Sequence, residues 1–241
     1  MSSLRVFTFA PDFGLPTVGP FALKLLAWLN LAGIAYSQHH VDDSRKGPKG
    51  KSPWAEIDGE PLADSSVIIE TLAARHGFDI DAWLDPSDRA DARMWSLTFE
   101  EHFHQVLEWE LFGVPAGNAY IETTIRRDVP AVMVPIVSSM LRRHFLRQLW
   151  ARGVSRHGPD GVTAAGIADL DAMVARLVAN GPFLFGDRPC SADLSVFGMV
   201  APMALWPMPT PVADYAKSQP VIGAYVERMR EACGMALSRA A

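Results

Sequence analysis

Two dipeptides, Ser52-Pro53 and Asp64-Ser65, carry the most specific chemistry in this 241-residue chain. A proline at the mouth of a strand can hold the cis peptide form, which is a minority state kept for its geometry. In that form it would present the N–H and C=O of Trp54 to an extended peptide, which could pair there as an added strand. Asp64-Ser65 opens a helical pattern. The first-turn N–H groups and a hydroxyl suit a carboxylate, and Asp64 suits an ammonium. Taken alone, Asp-Ser before a helix is a cap. Set at this distance from Pro53, it reads as a site for an extended peptide that carries both charges on one terminal carbon.

The surrounding elements must bring these dipeptides together. Leu4–Phe9 is rich in β-formers and reads as a buried strand. A loop with Pro11, Gly14, Pro16 and Gly19 follows. Pro20 then starts a helix through Phe21, Leu23, Leu25, Leu26, Trp28 and Leu29, with Gly33 as its stop. Tyr36–Val41 reads as a second strand, and 42–51 as a polar loop. Pro53–Ile57, the turn Asp58-Gly59 and Glu60–Ala63 form a hairpin, and a helix runs from Ser65 to Gly77. This order over residues 1–77 is similar to the thioredoxin arrangement of glutathione-binding proteins. Residues 78–88 read as a linker. Region 89–241 is helical in pattern: Arg89–Phe112, Val129–Trp150, Ala164–Asn180, Asp193–Ala201 and Ile222–Leu237.

Composition narrows the function. The net charge of −5 gives no electrostatic case for nucleic acid. Arg45, Lys46, Lys49 and Lys51 form a local basic cluster. The two cysteines, Cys190 and Cys233, are far apart, which fits a reducing compartment and no disulfide scaffold. The start of the chain reaches Pro11 and Asp12 too soon for a secretory signal, so a cytoplasmic location is expected. Leu194–Ala213 is uncharged, but Pro202, Pro207, Pro209 and Pro211 break it as a membrane span; a buried helix ending near Pro202 and then an apolar loop are expected. Gly50-Lys51-Ser52 fails as a phosphate-binding loop, because Arg45 stands where its first glycine belongs and Pro53 follows the serine. Glu101-x-x-His104 has no second copy to complete a metal site, and no metal is expected.

The run GPKGKSPWAEIDGEPLADSSVIIETL resembles the glutathione transferase superfamily. It is most similar to the branch containing metaxins, failed-axon-connections proteins and their bacterial relatives. VGPFALKLLAWLNLAGIAY is similar to the first helix and second strand of that branch. FLFGDRPCSAD, ending at Asp193, resembles the late helix-start motif of the superfamily, with Cys190 in place of Thr or Ser; a weakened capping box is expected there. The resemblance covers nearly the whole chain. It implies a thioredoxin-like α/β domain followed by an all-α domain, glutathione as co-substrate, and a homodimer.

On that resemblance Ser52, Pro53, Trp54, Asp64 and Ser65 would hold glutathione, with Lys49 or Lys51 on its glycyl carboxylate. The thiolate donor of the branch is commonly a serine at the position that Gly19 occupies. Thr17 and the backbone N–H groups around Gly19 and Phe21 are the remaining candidates. Phe13 and Leu15 of the loop, with His102, Phe103, Glu108, Trp109 and Phe112 of the first helix beyond the linker, are candidates for an apolar electrophile pocket, although an aromatic stripe at this spacing also serves core packing. The loop PDFGLPTVGPF resembles those of bacterial transferases that open alkene-derived epoxides. The expected activity is therefore conjugation of glutathione to a small apolar electrophile, an epoxide preferred. The alternative is a non-catalytic glutathione-binding or metaxin-like interaction protein.

Overall fold

The computed structural model describes residues 4–41, 43–127 and 129–235. A four-stranded mixed sheet is ordered β2-β1-β3-β4. It is built from β1 (Leu4–Thr8), β2 (Ser37–His40), β3 (Trp54–Ile57) and β4 (Glu60–Ala63). β1 runs parallel to β2 and antiparallel to β3, and β3 pairs antiparallel with β4. The polar strand β2 (SQHH) sits at an edge, where its outer face meets water. Asp58 and Gly59 both take positive φ (55° and 90°), the conformation of a tight two-residue hairpin turn.

Helix α1 (Pro20–Leu31) buries every residue from Ala22 to Leu29. A helix buried all round must be covered on both sides. Helix α2 (Ser65–His76) packs beside it, and α8 (Ser191–Leu205) covers it from the helical part of the chain. Burial of Leu23, Leu25, Leu26 and Leu29 contributes about 2 kcal/mol each to that sandwich. Gly198 sets the closeness: a Cβ there would lie 2.6 Å from the Pro20 carbonyl oxygen and 3.3 Å from Lys24 Cβ. Lys24 is buried in the same seam. Its Nζ donates to Glu100 (2.5 Å) and to Ser66 Oγ (3.1 Å), and Ser195 Oγ donates to the same Glu100 oxygen. Charge buried here is tolerated because the pair is in direct contact and hydrogen-bonded by two serines.

The helical part departs from the sequence pattern in instructive ways. The run expected over Arg89–Phe112 begins earlier, as α3 (Pro86–Leu97) capped by Asp85. It passes through a π-helical stretch (Thr98–Phe103) and continues as α4 (His104–Phe112). Helix α5 (Pro115–Ile125) falls where no helix is expected. Gly117 hides it, yet that glycine is a packing requirement: a Cβ would stand 1.9 Å from the Glu110 carbonyl oxygen. Helix α6 (Val134–Arg152) starts after Pro130 and a short 3₁₀ turn, and α7 (Gly158–Asn180) starts six residues before Ala164.

Helix α8 runs three residues past Pro202, to Leu205. The ring lies in the last turn, where it forfeits only one hydrogen bond, and Trp206 N–H still donates to the Pro202 carbonyl (2.9 Å). The expected apolar loop then contains helix α9 (Pro211–Ser218). Helix α10 (Pro220–Ala232) is shorter than Ile222–Leu237 suggests, and 236–237 lie outside the described residues. The capping box at α8 keeps its carboxylate half: Asp193 accepts from Cys190 N–H (3.0 Å), and the thiol donates to the same carboxylate (3.3 Å). Burial drives the Asp193 carboxyl up to about 6 and pushes the Cys190 thiol up as well. Both cysteines are free and buried. Among the described residues, no helix is long and apolar enough to cross a membrane.

Candidate functional site

The sheet register brings the two dipeptides together. Trp54 pairs with Ala63 across the hairpin and with Phe7 on β1. The Ser52-Pro53 peptide, which is cis, therefore lies beside Asp64-Ser65. Because β4 and β1 point the same way, the helices that follow them both start at this end of the sheet. The N-termini of α1 and α2 thus converge on the mouth of β3, each with positive dipole and first-turn N–H groups directed there.

Asp64 is the most unusual residue of the group. It is the N-cap of α2, yet its φ is +86° and its ψ 122°, an uncommon conformation for any residue with a Cβ. Its Oδ1 accepts from Ser66 N–H (2.9 Å) and Val67 N–H (3.4 Å), while the side chain stays exposed. The next residue, Ser65, is buried. Strained backbone of this kind collects at ligand clamps. Trp54 is packed flat against Phe7 (centroids 4.9 Å apart, 5° between planes), which holds the start of β3 rigid.

The thiolate candidates are placed differently from one another. Thr17 has 0% exposure, and its Oγ accepts the Gly19 N–H at 3.2 Å. The two expected donors thus satisfy each other inside the loop. No side chain caps α1, and Pro20 has no N–H, so the Phe21 and Ala22 N–H groups remain as its unpartnered donors among the described residues.

The loop before α1 turns sharply through Phe13 (φ 52°) and Gly14 (φ 73°), with Leu15 N–H bonded to the Asp12 carbonyl. Asp12 takes hydrogen bonds from Tyr120 (3.0 Å) and Arg127 (3.4 Å), which tie the loop to α5. Phe13 packs on Tyr120 at 5.2 Å. Leu15, Phe103 and Phe112 are core residues, Phe112 stacking on Phe145, while Phe13 and Trp109 are half-buried. His102 turns away to bond Asp169 of α7 at 2.7 Å. The residue that faces α1 is His104, whose ring meets Phe21 edge-on at 5.0 Å. Sequence reasoning passed over it, although His104 and Glu108 stand four apart, on one helical face. The π-helical turn shifts the phase of α4 and decides which histidine points at α1.

His104, Glu108, Arg152 and Lys51 form one electrostatic group across the junction. Arg152 donates to Glu108 at 2.7 Å. Burial, then the charges of Arg152 and Lys51, drive the His104 imidazole down to about 4, so it is neutral at pH 7. Burial raises the Glu108 carboxyl, and Arg152 and Lys51 oppose that shift. Lys51 belongs to the loop before β3, so its charge reaches from that loop to the first turns of α4.

Comparison with known proteins bears on the family and the fold. The Glutathione S-transferase N-terminal domain family matches residues 20–117, and the Glutathione S-transferase C-terminal domain family matches residues 166–229. The chain is 24% identical over 234 residues to isoprene-epoxide–glutathione S-transferase of Rhodococcus sp. (strain AD45), covering 95% of this chain and 98% of that one. It is 25% identical over 231 residues to Failed axon connections of Drosophila melanogaster, covering 91% of this chain but only 55% of that protein. Among solved structures, the beta-etherase LigF of Sphingobium sp. strain SYK-6 shares the fold, with a TM-score of 0.63, 21% identity and 95% of each chain covered.

Proposed function

This chain belongs to the glutathione transferase superfamily, and from that premise we propose that it joins glutathione to a small apolar electrophile at the junction of its two parts. The observation that carries the reading is the strained Asp64 N-cap beside the mouth of β3, where two helix N-termini converge. Asp64 takes the γ-glutamyl ammonium, and the start of α2 with Ser65 takes its carboxylate. The cysteinyl main chain pairs with that of Trp54, next to Ser52 and Pro53. Lys51 faces the glycyl carboxylate. The sulfur then meets the first turn of α1, where the Phe21 N–H and the helix dipole favour the thiolate. Since Thr17 has no exposed surface, the backbone takes the part of the missing hydroxyl.

Phe13, Trp109 and His104 border the space an electrophile would enter. An epoxide is the preferred class, supported by the match to the Rhodococcus enzyme over nearly the whole of both chains. A second copy of the chain completes the assembly we propose; Met94 on α3, 62% exposed, with Leu97 and Val67 offers apolar surface for it. One observation favours a non-catalytic reading instead: no side-chain donor stands at the start of α1. Calorimetric titration of glutathione, paired with turnover assays on styrene oxide and an aromatic chloride, separates the two. Conjugation is the expected result. Binding without turnover on either electrophile would establish the non-catalytic reading, and absence of binding would remove glutathione altogether.

A further inference from the structure

We propose that the outer face of α6 is a membrane-contact surface that seats on anionic phospholipid headgroups. The charge of the chain is strongly segregated. Residues 126–157 hold seven arginines and a single acidic residue, Asp128, a local charge of +6 in a chain whose net charge is −5. The remainder therefore carries an acidic excess of 11. Helix α6 turns Val134, Ser138 and Leu149 inward. On its opposite side Ile136, Met140, Arg143, Arg147 and Trp150 follow one another at intervals of three and four, a single stripe along the helix. Met140 is 68% and Trp150 59% exposed. Val132 and Met133, in the turn that leads into the helix, are exposed as well.

A shallow groove beside the stripe is lined by Ser139, Arg142, Arg143, Leu146, Arg147 and Trp150. Arg143 and Arg147 make no ion pair among the described residues. Guanidinium groups match phosphate oxygens two at a time, and indole favours the boundary between headgroup and acyl chain. Apolar and cationic side chains share one convex line, so a flat partner with phosphates above hydrocarbon meets both, the arginines bending up to the phosphates. A second copy is the wrong occupant: a two-fold contact on this stripe would set Arg143 and Arg147 against their own equivalents. The acidic remainder of the chain is no obstacle beyond about 10 Å, where salt screens it from the surface.

The test uses the full chain and sedimentation with vesicles of phosphatidylcholine alone or with about 30% phosphatidylglycerol. Pelleting is expected only with the anionic vesicles in about 50 mM salt, and loss is expected in about 500 mM. Arg143→Gln with Arg147→Gln should weaken it at least about tenfold, and Ile136→Ser with Met140→Ser should weaken it too. Arg93→Gln on α3 should leave it unchanged. Absence of pelleting, equal pelleting with neutral vesicles, or an unaffected arginine double variant would overturn the proposal. Retention on polyglutamate without vesicle binding would also overturn it, in favour of an acidic protein. Glutathione titration of the same variants is a separate readout, so this surface stands or falls apart from the transferase site.

Discussion

The proposed site gives Asp64 two separable duties, and a pair of substitutions separates them. As a cap it supplies Oδ1 to the Ser66 and Val67 N–H groups, at 2.9 and 3.4 Å. As the proposed ligand group it would supply a negative charge from an exposed position. Asp64→Asn keeps an acceptor in the same place, and asparagine caps helices and accepts left-handed backbone about as well as aspartate. Melting temperature should hold within about 2 °C of the wild type. The charge is gone, however, and a hydrogen bond to an ammonium is worth about 1.5–3 kcal/mol. The glutathione Kd should therefore rise about 10- to 100-fold, with the lower figure favoured because the residue faces water. Asp64→Ala loses the cap, at about 1 kcal/mol, and keeps the Cβ at φ +86° without the local side-chain hydrogen bonds that let aspartate hold that backbone, at about 1 kcal/mol more. It should lose affinity and melt about 4–8 °C lower. Calorimetry with glutathione and thermal denaturation of the same preparations supply both numbers. If Asp64→Asn binds glutathione as tightly as the wild type, the carboxylate is only a cap and the placement of the γ-glutamyl group is wrong.

Three further outcomes follow from the geometry. Thr17→Val should lower stability by about 1–3 kcal/mol, because the buried Gly19 N–H loses its acceptor, yet kcat should change less than about threefold; a collapse of kcat with unchanged stability would make the Thr17 hydroxyl the thiolate donor. The His104 imidazole is held near 4 in the fold, against about 6.5 in the unfolded chain, so the unfolded state binds the extra proton between those values. His104 should thus contribute a loss of about 3 kcal/mol as pH drops from 6.5 to 4, opposed over the same range by the raised Asp193 carboxyl, so the measurement is the difference between wild type and His104→Gln in denaturant unfolding, which should shrink by that amount across the window. Gly198→Ala forces a Cβ to 2.6 Å from the Pro20 carbonyl, so α8 must retreat from α1, costing about 1–3 kcal/mol and weakening glutathione binding through the displaced first turn; unfolding curves that match the wild type would show that the seam has room to give.

Several parts of this protein were set by sequence alone. Strand and helix order in the first half followed from β-branched runs, the Asp58-Gly59 turn, and Pro20 and Gly33 at the ends of α1, because each signal acts on its immediate neighbours. The two dipeptides at the mouth of β3 were legible for the same reason: a proline before a strand and an Asp-Ser before a helix are local features. Tertiary structure decided the rest. Helix α5 exists because Gly117 lets α4 and α5 touch, and packing there outweighs the poor helix propensity of glycine. His104 rather than His102 faces α1 because a π-helical turn resets the phase of α4, and no local periodicity announces such a turn. The fate of Thr17 was also decided in three dimensions. Its hydroxyl was a free donor on paper, and folding buried it against the Gly19 N–H, since a buried backbone group must find a partner wherever one is within reach.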